Sequence, residues 1–327
     1  MTSYDIIPDI HGQAAKLISL LDRLGWKKSR SMWKHADTDR QIIFLGDYID
    51  RGIANAVVLK IVRDLVEAGR ARAIMGNHEL NAIHFHTLDP ETGNPIKPHT
   101  ERNVSTHQTF LNEFPLGSSG ALDSISWFKT LPLWLDVGPF RVVHACWSDS
   151  AVERLRLLAP EGVLPTEHLI SAGRKGDLLK NDVDLLAKGP EVRLPRGLTF
   201  HDGGGQRRDE VRLAWWRDGV RTWREAVVSV PNLHQLPDEH LPDDVGGMLY
   251  PKNAKPVFFG HYWMSGPISM ENTNAICLDY SAGRDGPLIA YRFNHDDSEL
   301  SLDNVAMHDE QGSILNPLKL RTLASQD

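Results

Sequence analysis

The stretch FLGDYIDRG, Phe44 to Gly52, ends an apolar run by placing Asp47, Asp50 and Arg51 within five residues. Gly-Asp is common turn chemistry and clustered charges usually face water, so a solvated turn accounts for the stretch taken alone. Its surroundings point elsewhere. YDIIPDIHG, from Tyr4, reads as a short buried strand ending at Asp9, and the helix after it has apolar residues at Ala15, Ile18, Leu21 and Leu24. QIIFLGD repeats the pattern, with ANAVVLKIVRDLVEAG as its helix and Gly69 as the stop. ARAIMGNHE begins it a third time, and ELNAIHFH starts the next helix. Strands alternating with helices imply parallel pairing, right-handed crossovers and loops gathered at the carboxyl edge of a sheet, an α/β fold.

The chain has 327 residues, 41% hydrophobic and 24% charged, with a formal charge of -7. That is the composition of an ordinary globular protein, and it disfavours a general nucleic-acid binder, which would carry a basic surplus. With only Cys146 and Cys277 there is no disulfide framework and no cysteine-based zinc site. MTSYDIIPDIHG lacks the charged start and apolar run of a signal peptide, and no apolar run approaches the roughly 18 residues of a membrane span. The expectation is a cytoplasmic protein with no membrane partner.

Residues 87 to about 106, rich in Pro, Thr and Asn, read as an exposed loop. ALDSISWFKTLPLWLDVGPFRVVHACW gives a helix and two strands around Val137-Gly138-Pro139, ending near His144. Residues 150–250 carry many Pro and Gly and read as a cap-like insertion in a single domain spanning 1–327. KPVFFGHYW is a buried strand ending at His261, NAICLDYS and PLIAYRF read as a closing hairpin, and the last dozen residues as a polar tail.

Each strand therefore stops at a metal-ligand residue type: Asp9 and His11, then Asp47, then Asn77 and His78, with His144 and His261 ending two later ones. In an open sheet such residues converge beyond the carboxyl ends, however distant in sequence. Imidazole with carboxylate suits Mn, Fe, Zn or Ni, whereas Mg or Ca would use almost only oxygen. The set fits two adjacent divalent cations, Mn first, with Asp47 as the bridging carboxylate. Two ions about 3.5 to 4 Å apart can acidify a water and clamp a phosphate for in-line displacement.

DIHG, GDYIDRG, GNHE, a later VHA and a late GH resemble the five blocks of the calcineurin-like metallophosphoesterases, in the branch of phosphoprotein phosphatases and dinucleoside tetraphosphatases. Order and rough spacing match from Asp9 to His261, and the pairing of GDYIDRG with GNHE is the specific part. The resemblance implies a four-layer sandwich of two mixed β-sheets flanked by helices. It implies that Asp9 and His11 bind one metal with the bridging Asp47, and that Asn77, His144 and His261 complete the second. Arg51 would hold phosphate oxygens with Asn77, His78 would serve the leaving oxygen, and Asp50 would orient His78. The implied reaction is direct attack of a dimetal-bound hydroxide on a phosphorylated substrate. A phosphomonoesterase of the serine/threonine protein phosphatase kind comes first, a dinucleoside polyphosphate hydrolase second, and a non-catalytic phosphate-binding or regulatory protein is the alternative of another class.

Departures from the pattern narrow this. Pro8 replaces the usual Gly of the first block, and HAC replaces the HGG of protein phosphatases near His144. GHYW lacks the second His of nuclease branches, and an RNA or DNA end-processing phosphatase is further weakened by the net charge. His84, His86, His99 and His107 read as surface or packing residues rather than ligands. The GGGQRR run from Gly203 lacks the Lys-Ser/Thr ending of a P-loop and reads as a turn. Arg207 to Arg224 carries six arginines and reads as an amphipathic helix, its charges solvated and Trp215, Trp216 and Trp223 packed inside. The family usually supplies a second phosphate-binding arginine between its fourth and fifth blocks, and Arg217, then Arg212, are the candidates.

Overall fold

A computed structural model describes residues 2–29, 32–201 and 205–308. Of the turn expected in GGGQRR, Gly203 and Gly204 lie outside the described residues, as does the polar tail, while Arg207–Arg208 pairs antiparallel with Phe200–His201. Strands Tyr4–Ile7, Gln41–Phe44 and Ala71–Ala73 run parallel, with Ile6 opposite Ile43 and Ile43 opposite Arg72. Ile289–Phe293 pairs antiparallel with the free side of Tyr4–Ile7, and Val305–Met307 pairs antiparallel with Ile289–Phe293. A second sheet sets Ala275–Cys277, Val257–Phe259 and Arg141–Val143 in parallel, edged by the antiparallel Trp134–Asp136.

Alternation along these strands builds the layers, since successive side chains of a strand point to opposite faces. Ile6, Ile43, Val142, Phe258, Ile276, Ile289 and Tyr291 form one apolar cluster contributed by both sheets. Phe140 lies edge-on to Phe258 at 5.2 Å, and Phe258 meets Tyr291 at 4.8 Å, so aromatic rings fill the space between the sheets. The alternate positions Ile7, Ile42 and Phe44 belong to another cluster with Leu17 and Leu21 of helix Ala14–Leu24 and Val58 and Val62 of helix Asn55–Glu67. On the second sheet Val257 and Phe259 share that cluster with Leu186 of helix Leu178–Lys188 and with Trp215 and Trp216. The result is helix, sheet, sheet, helix, the mixed four-layer α/β sandwich expected.

Three local expectations are corrected. NAICLDYS and PLIAYRF do not form a hairpin: Ala275–Cys277 pairs with Val257–Phe259 in one sheet and Ile289–Phe293 with Tyr4–Ile7 in the other. Both strands are buried, and Ile276 and Ile289 meet in the layer between the sheets rather than side by side. The expected loop from residue 87 ends early, because helix Glu101–Glu113 starts where the Thr100 side chain accepts from Asn103 N. The arginine-rich segment is a strand, Glu210–Leu213, in place of a helix: buried Val211 and Leu213 alternate with Arg212. It pairs with Glu191–Arg193 and Val227–Val228, and only Trp223–Ala226 is helical nearby.

Close approach of two loops brings the parallel strand ends together. A methyl group at Gly76 would lie 2.3 Å from both Asp47 N and Asp47 Oδ1, so only glycine lets the GNHE loop seat against GDYIDRG. Gly76→Ala should lower the unfolding free energy by about 1–3 kcal/mol, the cost of overpacking. Gly246→Ala, where the added methyl meets nothing within 4 Å, should stay within about 0.5 kcal/mol. Urea unfolding of the two variants checks the comparison, and equal effects would refute it.

Candidate active site

Asp47 stands where the loops converge. Its backbone takes the left-handed conformation at φ 53°, as do His11 at 49°, Asp50 at 71°, Arg51 at 65° and His261 at 76°. Such backbone is uncommon for residues with a side chain and is held here by specific bonds. The buried Glu79 carboxylate accepts from Asp47 N at 2.8 Å, Tyr48 N at 2.9 Å and Gly76 N at 3.0 Å, tying the second loop to the third. Ile10 N and His11 N both donate to Asp47 O, which ties in the first. Glu79 belongs to a quoted motif, yet nothing in the sequence shows that it binds three backbone amides.

The two oxygens of Asp47 face different partners. Oδ2 lies 3.6 Å from His11 Nε2, and Oδ1 lies 3.4 Å from His144 Nε2. Two groups, His11 with Asp47 and His78, and Asp47 with His144 and His261, bring their donor atoms within 4.8 Å of one another and share Asp47. Asn77 Oδ1 joins the second at 3.1 Å from His144 Nε2 and 2.7 Å from His261 Nδ1. Asp9 is fully buried, and its carboxylate accepts from His261 N at 3.0 Å. All six residues expected as ligands are therefore gathered in one place.

The histidine tautomers fit cation binding. His11 Nδ1 is 3.0 Å from Ile49 O and His144 Nδ1 is 2.8 Å from Leu45 O, and a carbonyl can only accept, so each ring in its neutral form carries its lone pair on Nε2 toward the centre. His11 Nε2 is buried without a hydrogen-bond partner among the described residues. The charges are just as telling. Burial and the charge of Asp279 raise the Asp9 pKa well above the usual carboxylate range. Burial alone would lower the His144 pKa, but Asp47 and Asp9 outweigh it and push it up to about 10. Buried carboxylates that draw a proton onto a neighbouring imidazole make a site short of positive charge, and divalent cations supply it.

Behind this centre runs a chain of rings of which sequence reasoning foresaw the Asp50–His78 link and missed the extension through His107 and His86. Asp50 Oδ2 is 2.6 Å from His78 Nδ1, and Asp50 Oδ1 is 2.8 Å from His107 Nδ1. His107 Nε2 in turn lies 3.2 Å from His86 Nε2. Burial would raise the Asp50 pKa, but the hydrogen bonds from His107 and His78 hold it down at about 2. His107 binds the carboxylate that orients His78, so its role is more than packing. By contrast His84 Nε2 and His99 Nε2 meet the backbone carbonyls of Leu169 and Phe85.

A cavity of about 550 Å³ opens over Asp47, lined also by Arg51, Asn77, His78, Arg212, His261, Trp263 and Arg284. The two candidate arginines part here. Arg212 points from its strand into the cavity, with Glu191 Oε1 3.3 Å from its Nε. Arg217, preferred from sequence, does not line it: Nε donates to Glu271 at 2.9 Å, and one terminal nitrogen donates to the carbonyls of Glu225 and Val227, both at 2.8 Å. Three acceptors of the protein use its donors, so it braces the turn. If Asp47 serves both groups, Asp47→Asn should bind no more than one divalent ion per chain by elemental analysis. A variant that kept two would end that role.

Comparison with known proteins adds relatives. The sequence model of the calcineurin-like phosphoesterases matches residues 3–262. The asymmetrical bis(5'-nucleosyl)-tetraphosphatase PrpE of Bacillus velezensis is 36% identical over 95 residues, 29% of this chain and 36% of that protein. PrpE of Bacillus subtilis is 29% identical over 147 residues, 44% of this chain and 57% of that protein. The match thus spans less than two-thirds of either relative. Among solved structures, a protein serine/threonine phosphatase from Saccharomyces cerevisiae is 13% identical at a TM-score of 0.49, over 94% of this chain and 80% of that one. With one family description running from the first strand through His261 and so through every motif that places a proposed metal ligand, the chain belongs to the calcineurin-like phosphoesterases.

Proposed function

We propose that the chain hydrolyses a dinucleoside polyphosphate at this centre. The observation that carries the reading is that two cavities meet beside the centre, with Asn77 and His261 lining both. A second cavity of about 1000 Å³ meets the first at Asn77, Arg212 and His261. Trp147, Tyr250, Lys97 and Lys188 line it, along with carboxylates such as Asp149 and Asp184. A phosphomonoester needs room on one side of the phosphorus only. A polyphosphate with a nucleoside at each end needs it on both, and aromatic faces with amines suit a nucleotidyl group. The tetraphosphatase names of the PrpE relatives favour the same reading.

Asp9, His11 and Asp47 would hold one divalent cation and Asp47, Asn77, His144 and His261 the other, and when bound the pair would supply an acidified water and positive charge against the phosphoryl oxygens. The chain's own groups do the rest. Arg51 and Arg212 both line the cavity, and their planar forks suit the remaining phosphoryl oxygens. Asp50 fixes the His78 ring through Nδ1, which turns Nε2 toward the centre, 3.9 Å from Asp47 Oδ2. His78 carries a proton there for the leaving oxygen. Burial opposes that proton, but Asp47 and Asp50 outweigh burial and raise the His78 pKa. His107 holds the far oxygen of Asp50 and so keeps the pair in register.

The test is a substrate panel on metal-reconstituted protein: diadenosine tetraphosphate, a phosphoserine peptide, a 3'-phosphorylated oligonucleotide and p-nitrophenyl phosphate. The expected result is a kcat/KM for the dinucleotide at least about tenfold above the others, equivalent to about 1.4 kcal/mol of transition-state binding. Preference for the peptide would overturn the substrate, and no phosphate release from any compound would overturn catalysis. On the preferred substrate, Arg212→Ala should raise KM by about tenfold, the worth of one charge-assisted contact, while Arg217→Ala stays within about twofold. The reverse order would return the role to Arg217.

A further inference from the structure

Trp263 and Arg284 line the catalytic cavity, and no part of the proposed reaction uses them. The Trp263 ring stacks on His11 at 5.3 Å between centroids, the planes 30° apart. Two guanidinium groups lie over the same indole, Arg51 at 3.9 Å and Arg284 at 4.9 Å from its centre. Arg141, Arg154, Arg174, Arg217 and Arg224 each meet a carboxylate. Arg51 and Arg284 meet none among the described residues. The two like charges gathered on one ring repel each other, and for Arg51 the buried carboxylates of Asp47, Asp50 and Asp279 act against that repulsion.

The backbone beneath them is built to hold that arrangement. Lys16 Nζ donates to the carbonyls of Ala282 at 2.8 Å, Arg284 at 2.9 Å and Gly286 at 2.8 Å, gripping the loop from helix Ala14–Leu24. The buried Asp279 carboxylate accepts from Trp263 N at 2.8 Å and from Ser281 N at 2.9 Å, which locks the indole to the same loop. Arg284 itself is exposed to the cavity. A fixed backbone that carries an unpaired guanidinium beside the phosphate-directed Arg51 is preorganised for an anion.

We propose that Arg284, spaced from Arg51 by Trp263, forms a second phosphate subsite, so that the centre selects substrates with two or more linked phosphoryl groups over monoesters. Arg51 serves the reacting phosphoryl group and Arg284 its neighbour in the chain. The subsite deepens the dinucleoside polyphosphate reading and rests on it for the chemistry at the centre. It also commits to something that reading leaves open, namely where the non-reacting phosphates lie.

Calorimetric titration separates the two ideas. Methylenediphosphonate has two phosphoryl groups on a link that water does not cleave, and methylphosphonate has one. Each is titrated into metal-reconstituted wild-type protein and into Arg284→Ala at saturating metal. The wild type should favour the diphosphonate, and Arg284→Ala should cut that preference by about tenfold, as expected for loss of one charge-assisted contact. An unchanged preference overturns the subsite, even if the wild type hydrolyses diadenosine tetraphosphate. A reduced preference in a protein that hydrolyses no dinucleoside polyphosphate keeps the subsite and rejects the substrate.

Discussion

The structure depends on one buried carboxylate. Asp47 is almost fully buried and has imidazoles of His11, His78 and His144 around it. Burial raises a carboxylate pKa, yet here the surrounding rings outweigh it and hold Asp47 ionised. An anion in that position is costly unless its environment is organised, which is why so much backbone is committed to it. Glu79 pins its amide, Asn77 and His78 follow from a helix start beside it, and Gly76 leaves the space. The two sheets provide the rigid platform from which these loops project.

Electrostatics divide the region into a negative floor and a positive wall. Asp9, Asp47 and Asp279 lie buried beneath the cavity, while Arg51, Arg212 and Arg284 line it. Cations suit the floor and phosphoryl oxygens suit the wall, so the two charged layers favour a sandwich of metal and phosphate. The segment that follows His144 contributes to the wall rather than the floor: Arg212 and residues Ser229 to Pro231 come from it. The wall of the cavity is thus built partly by residues outside the short motifs.

Much of the centre was legible because the residues proposed as its ligands follow apolar runs that stop at Asp or His at the carboxyl edge of a parallel sheet. Asp9, Asp47, His144 and His261 were found this way. What failed depended on partners far along the chain. Val211 and Leu213 alternate with Arg212 as a strand should, but the neighbouring tryptophans and charges gave the segment the look of a helix. Arg217 is a brace because its donors meet Glu271, 54 residues on, and the carbonyls of Glu225 and Val227. His107 was hidden because its helix starts at a Thr100 cap inside a stretch that reads as loop, and because Asp50 lies 57 residues earlier. The loop of Arg284 is held by Lys16, 268 residues away, and no local pattern announces such a grip.

The left-handed backbone at His11, Asp47 and His261 bears on how the centre could be re-engineered. Asp, Asn and His are the side-chain-bearing residues most tolerant of that conformation, and Asp and His are also hard or borderline metal ligands. At these positions one residue satisfies two independent demands. Exchanging Asp47 for Glu, or a histidine for cysteine, would penalise the backbone before the new donor atom met any ion. Retuning the ion preference by ligand exchange at these three positions therefore meets resistance from the main chain, whereas Asp9, Asn77 and His144 carry no left-handed backbone and leave that route open.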